Sequence, residues 1–252
     1  MPEIYKMNVE DVNDDSIPTP TVEHDRLALI FERQTHLLHK YHPIEARSGL
    51  LQCEDIPVPI HSGKGQARLK DFLWRVTEEI TEATASIADD GLKLHFIEEL
   101  SDAFHFLIEL LILSGHTAHS LHRVVGEFYY STPEGPPPDI RELDVIGDRL
   151  MVHMIAAKQW KGWQSGQPPH SVQEWAYETI EYLGRAGNTL KQKPWKQTHM
   201  LTDEVHYQLR LVQAYLAFLN LCQFGGDLTF EHLYSIYYKK SEVNKFRQRS
   251  MY

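Results

Sequence analysis

The sequence predicts an all-α fold, and three observations carry that reading. Apolar residues recur at the three-and-four spacing of a helix, as Leu27, Ile30, Phe31 and Leu38 do. Almost nothing alternates with period two, the mark of a half-buried strand. The periodic runs are separated by turn-forming clusters, such as "DDG" (89–91), "STPEGPPPD" (131–139) and "KQKPWKQT" (191–198).

The elements follow in order. Residues 1–20 are polar, close on Pro18 and Pro20, and read as an extended arm. A first helix is expected over 22–41. Residues 42–65 are rich in proline and glycine and read as a long loop. Helices are expected over 66–88, 92–113 and 117–130, then beyond the proline-rich break over 139–159, 171–187, 202–222 and 228–248. Ser171 and Glu174 have the spacing of a capping box. The whole of 21–252 is read as one domain, with 131–200 either an insertion or part of a second half.

That second half has a basis in the chain itself. "LIELLILSGHTAHSLHRVVGEFYY" is echoed about 110 residues later by "LAFLNLCQFGGDLTFEHLYSIYY": apolar helix, glycine turn, second helix, paired tyrosines. An old duplication and the shared grammar of helical hairpins both produce this order. Glu178 and Glu181 repeat an ExxE, but the matching stretch "LRLVQA" holds no acids, so a second half is degenerate.

Composition excludes several functions. Of the 252 residues 42% are hydrophobic and 24% charged, ordinary for a globular chain, and the net charge is −10. A nucleic-acid binder that neutralises phosphates with its own cations is not expected at that charge. The two cysteines, Cys53 and Cys222, give no disulfide framework and suit a reducing compartment. The opening "MPEIYKMNVEDVNDD" is acidic with no apolar run, so no secretion signal is expected. The most apolar stretch, "FHFLIELLILSG", is interrupted by Glu109 and too short to cross a bilayer. The expected location is cytoplasmic, or the host cytoplasm if the protein is viral.

The acids of 77–106 are the unusual feature. Glu79 and Glu82 are three apart and share a helix face; Glu99 and Asp102 repeat the arrangement on the next helix. A tight turn makes the two helices antiparallel and can bring four carboxylates together. Few cations lie nearby to balance them: Arg75 and Lys93 are the nearest. Clustered carboxylates raise one another's pKa, and a hard divalent cation with oxygen ligands, Mg²⁺ above all, relieves that cost. Glu78 and Glu98 are expected beside the ligands or in solvent. A second constellation ends the chain: Lys240, Asn244 and Arg247 form one helical stripe, a set suited to a polyphosphate or, equally, to a basic helix end.

Together these residues resemble a known family, the dimeric all-α dUTPases of the all-α NTP pyrophosphatase superfamily. Its pattern is ExxE, a gap, then ExxD; here Glu79-x-x-Glu82, sixteen residues, Glu99-x-x-Asp102. "EELSDAFHF" looks like the family's "ELVDIFHF". "KSEVNKFRQRSMY" looks like its terminal motif, through Lys240, Asn244, Arg247, Gln248 and Tyr252. The dCTP/dUTP pyrophosphatases of T-even phages are similar in both motifs. "FERQTHLL" resembles the helix whose Gln contacts the pyrimidine, which is Gln34 here. The chain departs from the family at Leu38, where an Asn is usual, and at Arg249 and Met251 of the terminal motif. The Trp/Lys-rich segment after ExxE is also absent, with "KPWK" (Lys193 to Lys196) as its one stand-in.

The resemblance implies a hydrolase that converts dUTP and water to dUMP and pyrophosphate, with dCTP, or both nucleotides, as the alternative substrate. It implies that Glu79, Glu82, Glu99 and Asp102 are catalytic and hold two or more Mg²⁺ ions, with Mn²⁺ as a substitute. Glu79 is then the first choice to activate water. Gln34, Lys240, Asn244, Arg247, Gln248 and Tyr252 bind substrate, with Phe72 or Phe106 near the base. It also implies a homodimer, with a pseudo-dimeric monomer as alternative if the duplication is real. The partner is a small nucleotide rather than nucleic acid or membrane.

Two other classes are weighed. A di-iron carboxylate bundle needs paired Glu-x-x-His motifs; the chain offers Asp102-x-x-His105 and the run His116, His119, His122, but no such pair. A non-catalytic helical nucleotide- or partner-binding protein remains the alternative of another kind. The dipeptide His24-Asp25 is too little for an HD-type phosphohydrolase.

Overall fold

The computed structural model describes residues 17–22, 25–49, 53–88, 93–130, 147–162, 171–191 and 201–249. They form eight α-helices with no strand among them: α1 (Arg26–Ser48), α2 (Gly63–Ala88), α3 (Lys93–Leu113), α4 (Ala118–Tyr130), α5 (Arg149–Gly162), α6 (Val172–Thr189), α7 (Glu204–Asn220) and α8 (Phe230–Arg249). The all-α expectation holds. None of these helices is long and apolar enough to cross a membrane.

Caps set the helix ends. Asp25 is the N-cap of α1, its carboxylate accepting from the backbone N–H groups of Leu27 and Ala28, and it also pairs with Arg149 at 3.0 Å. Its role is therefore structural. The expected capping box is present at the start of α6, where Ser171 and Glu174 satisfy each other's backbone N–H groups.

The first helix runs further than its sequence suggests. The expected loop from residue 42 is helical to Ser48, straight through Pro43. Proline removes one helical hydrogen bond and ordinarily ends or kinks a helix. Here Glu45 anchors the last turn to α2, at 3.1 Å from Arg68 and 3.7 Å from Arg75. Gly49 then closes the helix at φ 74°, a left-handed conformation suited to glycine. Of the helix expected over 139–159, the described part begins at Arg149, and 139–146 lie outside the described residues. So do 1–16 of the arm, His24 and the Lys193–Lys196 segment.

Two hairpins organise the core. The most extensively packed pairs are α2 with α3 and α6 with α7, and α2 packs beside α6. In element order, each hairpin is followed by a further helix, α4 after the first and α8 after the second. In the second hairpin Leu211, Val212 and Ala214 of "LRLVQA" are fully buried, so that stretch is packed with apolar groups and not acids.

The central helix is α3. Leu100, Ala103, Phe104, Leu107, Ile108 and Leu111 are inaccessible to solvent, a nearly all-round burial. Phe104 stacks on Phe218 of α7 at 5.8 Å and meets Tyr237 of α8 edge-on at 5.8 Å, joining three helices. A π-turn, Leu221–Gly225, extends α7. It is held by Asn220 and Gln223, whose amides donate to the Ala157 and Met154 carbonyls of α5. Gly225 packs closely there: a Cβ would lie 3.1 Å from both Phe96 and Val172, tight enough that those side chains would have to shift. Finally α8 packs on α1 and α3, which returns the end of the chain to the helix that carries the acids.

Candidate metal centre

The two acid-bearing helices are packed neighbours, which brings acids of α2 beside acids of α3. One oxygen each from Glu79, Glu99 and Asp102 lies within 4.8 Å of the others. Glu99 is buried, while Glu79 and Asp102 are half-buried. The fourth expected ligand, Glu82, is exposed and stands outside this cluster, although its charge still acts on Glu79 and Glu99. Glu78 is exposed.

Crowding has the expected electrostatic result. The Glu79 carboxyl is pushed up to about 8, first by burial, then by the Asp102 charge. The neighbouring Glu99 carboxyl pushes it the same way. Glu99 is also raised, by burial and by Asp102, against the opposing pull of the Glu79 carboxyl and of His95.

Cations approach from one side. Lys240 of α8 places Nζ 2.7 Å from Asp102 Oδ2 and 3.6 Å from Glu98 Oε1. Its side chain is only 6% exposed. No Lys or Arg pairs with Glu79, Glu82 or Glu99 among the described residues. His95 Nδ1 lies 3.4 Å from Glu99 and 3.7 Å from Glu98, forming a second group that shares Glu99 with the first. His95 was legible as the residue four before Glu99, on the same face. Its part in the site was not.

The donor set fits a hard divalent ion. Oxygens on one Mg²⁺ at about 2.1 Å lie up to about 4.2 Å apart across the ion, close to the spread found here. Such an ion would relieve the mutual repulsion of the converging carboxylates.

The remaining expected residues are placed as follows. Asn244 is half-buried on α8, one turn after Lys240. The backbones of Arg247 and Gln248 continue α8, but their side chains, and all of Tyr252, lie outside the described residues. Gln34 is buried inside the protein: its Nε2 donates to Glu109 Oε2 at 3.2 Å, and its Oε1 accepts from the Tyr237 hydroxyl at 2.9 Å. Glu109, a residue with no role expected from the sequence, is pushed up to about 7 by burial and by the Glu45 charge, against Arg75 and Arg68. Leu38 is core.

Phe106, one turn after Asp102, meets Phe72 edge-on at 6.3 Å, and the Arg75 guanidinium lies 4.6 Å over the Phe72 ring. An aromatic pair and a cation therefore continue the acid stripe inward between α2 and α3. Arg75 precedes Glu79 by one helical turn, a spacing that could have drawn attention to it.

Among the described residues, His105, His116, His119 and His122 do not join the acid cluster. His105 is buried, its Nδ1 on the Ser101 carbonyl and its ring stacked on Tyr237 at 4.2 Å. His116 bonds Gln208, His119 is exposed, and His122 reaches His153. A cavity of about 680 Å³ lies elsewhere, between residues 20–22, the outer face of α1 and Tyr234, Tyr238 and Lys245 of α8; Glu79, Glu99 and Asp102 are not among its walls. No family model matches this chain, and no curated protein or solved structure matches it.

Proposed function

We propose that the protein is a Mg²⁺-dependent deoxynucleoside triphosphate pyrophosphatase that converts dUTP to dUMP and pyrophosphate. The observation that supports it best is the gathering of Glu79, Glu99 and Asp102 within 4.8 Å, with Lys240 brought to Asp102 by the last helix. That arrangement joins the two motifs on which the resemblance rests.

The reading assigns roles as follows. Glu79, Glu99 and Asp102 hold the metal, with Glu82 able to join from its exposed position one turn away. Bound divalent ions supply Lewis-acid charge stabilisation and a lowered pKa for water. With the cation bound, the ionised Glu79 carboxylate would be placed to accept the proton of the attacking water. Lys240, Asn244 and Arg247 offset charge on the leaving phosphate. Phe106, the less buried of the aromatic pair, offers a ring to the base, and Gln34 supplies an amide whose orientation Glu109 and Tyr237 hold. His95, with a nitrogen beside Glu99, favours tolerance of Mn²⁺ in place of Mg²⁺.

A homodimer belongs to the same reading. Trp74 is 64% exposed on α2, on the outer stripe that continues through Glu78 and Glu82, and is a suitable apolar anchor for a second copy. A cytoplasmic location also belongs to it. The competing reading is a non-catalytic binding protein, favoured by the exposed Glu82 and by the closed partners of Gln34. Rates of Mg²⁺-dependent hydrolysis of dUTP, dCTP, dTTP, dATP and dGTP separate the two. Turnover of one or two pyrimidine nucleotides names the substrate, and turnover of none favours the binding protein.

A further inference from the structure

The acid cluster already has a resident cation, and it comes from the chain. Lys240 is nearly inaccessible, and its ammonium contacts Asp102 and Glu98 at once. Asp102 is also one of the three carboxylates whose oxygens converge. Its carboxylate is therefore claimed twice, by the α8 ammonium and by any divalent ion that enters. A dication and an ammonium on one carboxylate repel each other strongly at such distances.

We infer that Lys240 is a built-in counter-ion that a divalent metal displaces, so that metal binding frees the α8 ammonium for an anionic ligand. The inference rests on the metal-dependent reading above and specifies its order of events. The metal loads first, and the polyphosphate meets a lysine that was unavailable before. Without a metal, Lys240 neutralises part of the cluster and keeps α8 seated; Ser241 and Tyr237 beside it are fully buried. With a metal, that pairing is lost and the same side chain is free to turn toward the substrate. A helix 138 residues away in sequence thereby senses whether the acids are loaded.

Two measurements on the full-length chain test this with Mn²⁺ alone as the probe. The first is reductive methylation of the wild-type protein, read at Lys240 by mass spectrometry. Methylation is expected to be slow without metal and to rise several-fold on saturation with Mn²⁺, while that of Lys245 stays constant. The second is Mn²⁺ affinity measured by electron paramagnetic resonance for wild type, Lys240→Met and Lys245→Met. Lys245 pairs with Glu242 and not with the acids, so it controls for the general loss of a positive charge. Lys240→Met is expected to bind Mn²⁺ about tenfold more tightly, and Lys245→Met within about twofold of wild type. If wild type binds Mn²⁺ but Lys240 labelling does not change, or Lys240→Met binds equally or more weakly, the displacement is refuted and the metal site survives. If neither wild type nor Lys240→Met binds Mn²⁺, the metal-dependent reading fails and takes the inference with it. Should the variant not fold, the wild-type labelling decides alone.

Discussion

Lys240 Nζ lies 2.7 Å from Asp102 Oδ2, which ties the final helix to the acid-bearing helix across 138 residues of chain. The ammonium is nearly inaccessible, the Asp102 carboxylate is half-buried, and Glu98 is a second acceptor. The pairing places the last helix in direct contact with the acids.

Asp102→Asn tests the acid side of this pairing. It removes one anionic ligand and leaves Lys240 with Glu98. Metal affinity is expected to fall by at least roughly tenfold, with a larger fall in nucleotide turnover. Mn²⁺ titration and a hydrolysis assay on the same preparation check it.

Glu79→Gln separates stability from chemistry. Burial and the Asp102 charge push the Glu79 carboxyl up to about 8 in the metal-free protein, and a glutamine is its neutral counterpart there. The metal-free variant is expected to melt within a few degrees of wild type, while metal-dependent turnover drops by roughly a hundredfold or more. Glu82→Gln, at an exposed position outside the cluster, is expected to lose much less.

Glu109→Gln tests the buried carboxyl by its pH dependence. Its folded-state pKa is raised to about 7 from 4.5, so the folded protein keeps a proton that the unfolded chain releases. Stability contributed by that proton is full below pH 4.5, falls as pH rises and is gone above about 7, a change of about 3 kcal/mol. The variant, which still accepts from Gln34, is expected to match wild type near pH 4 and exceed it by up to that amount at pH 8. Denaturant melts of both proteins across this range give the difference directly.

Phe104→Ala tests the joint between hairpins. The ring touches both Phe218 and Tyr237 and is fully buried. Its loss is expected to cost about 3–5 kcal/mol, a large fraction of a domain's stability. Chemical denaturation measures it.

The fold was largely legible because helical periodicity and turn clusters act locally. The overrun of α1 was not, since what carries it past Pro43 is a contact with α2: Glu45 with Arg68 and Arg75. The convergence of Glu79, Glu99 and Asp102 follows from i, i+3 spacing on two packed helices. Spacing alone does not say which acid of a pair turns inward, and Glu82 does not. The partners of Gln34, Glu109 and Tyr237, lie 75 and 203 residues away, and no local pattern announces them.

The most direct test of the central claim is ³¹P NMR of dUTP incubated with the purified protein and Mg²⁺. The account predicts that the three triphosphate resonances give way to those of dUMP and pyrophosphate, with no dUDP, and that chelating the metal stops the conversion. Formation of dUDP and orthophosphate, or dUTP left intact while the metal is bound, would contradict it.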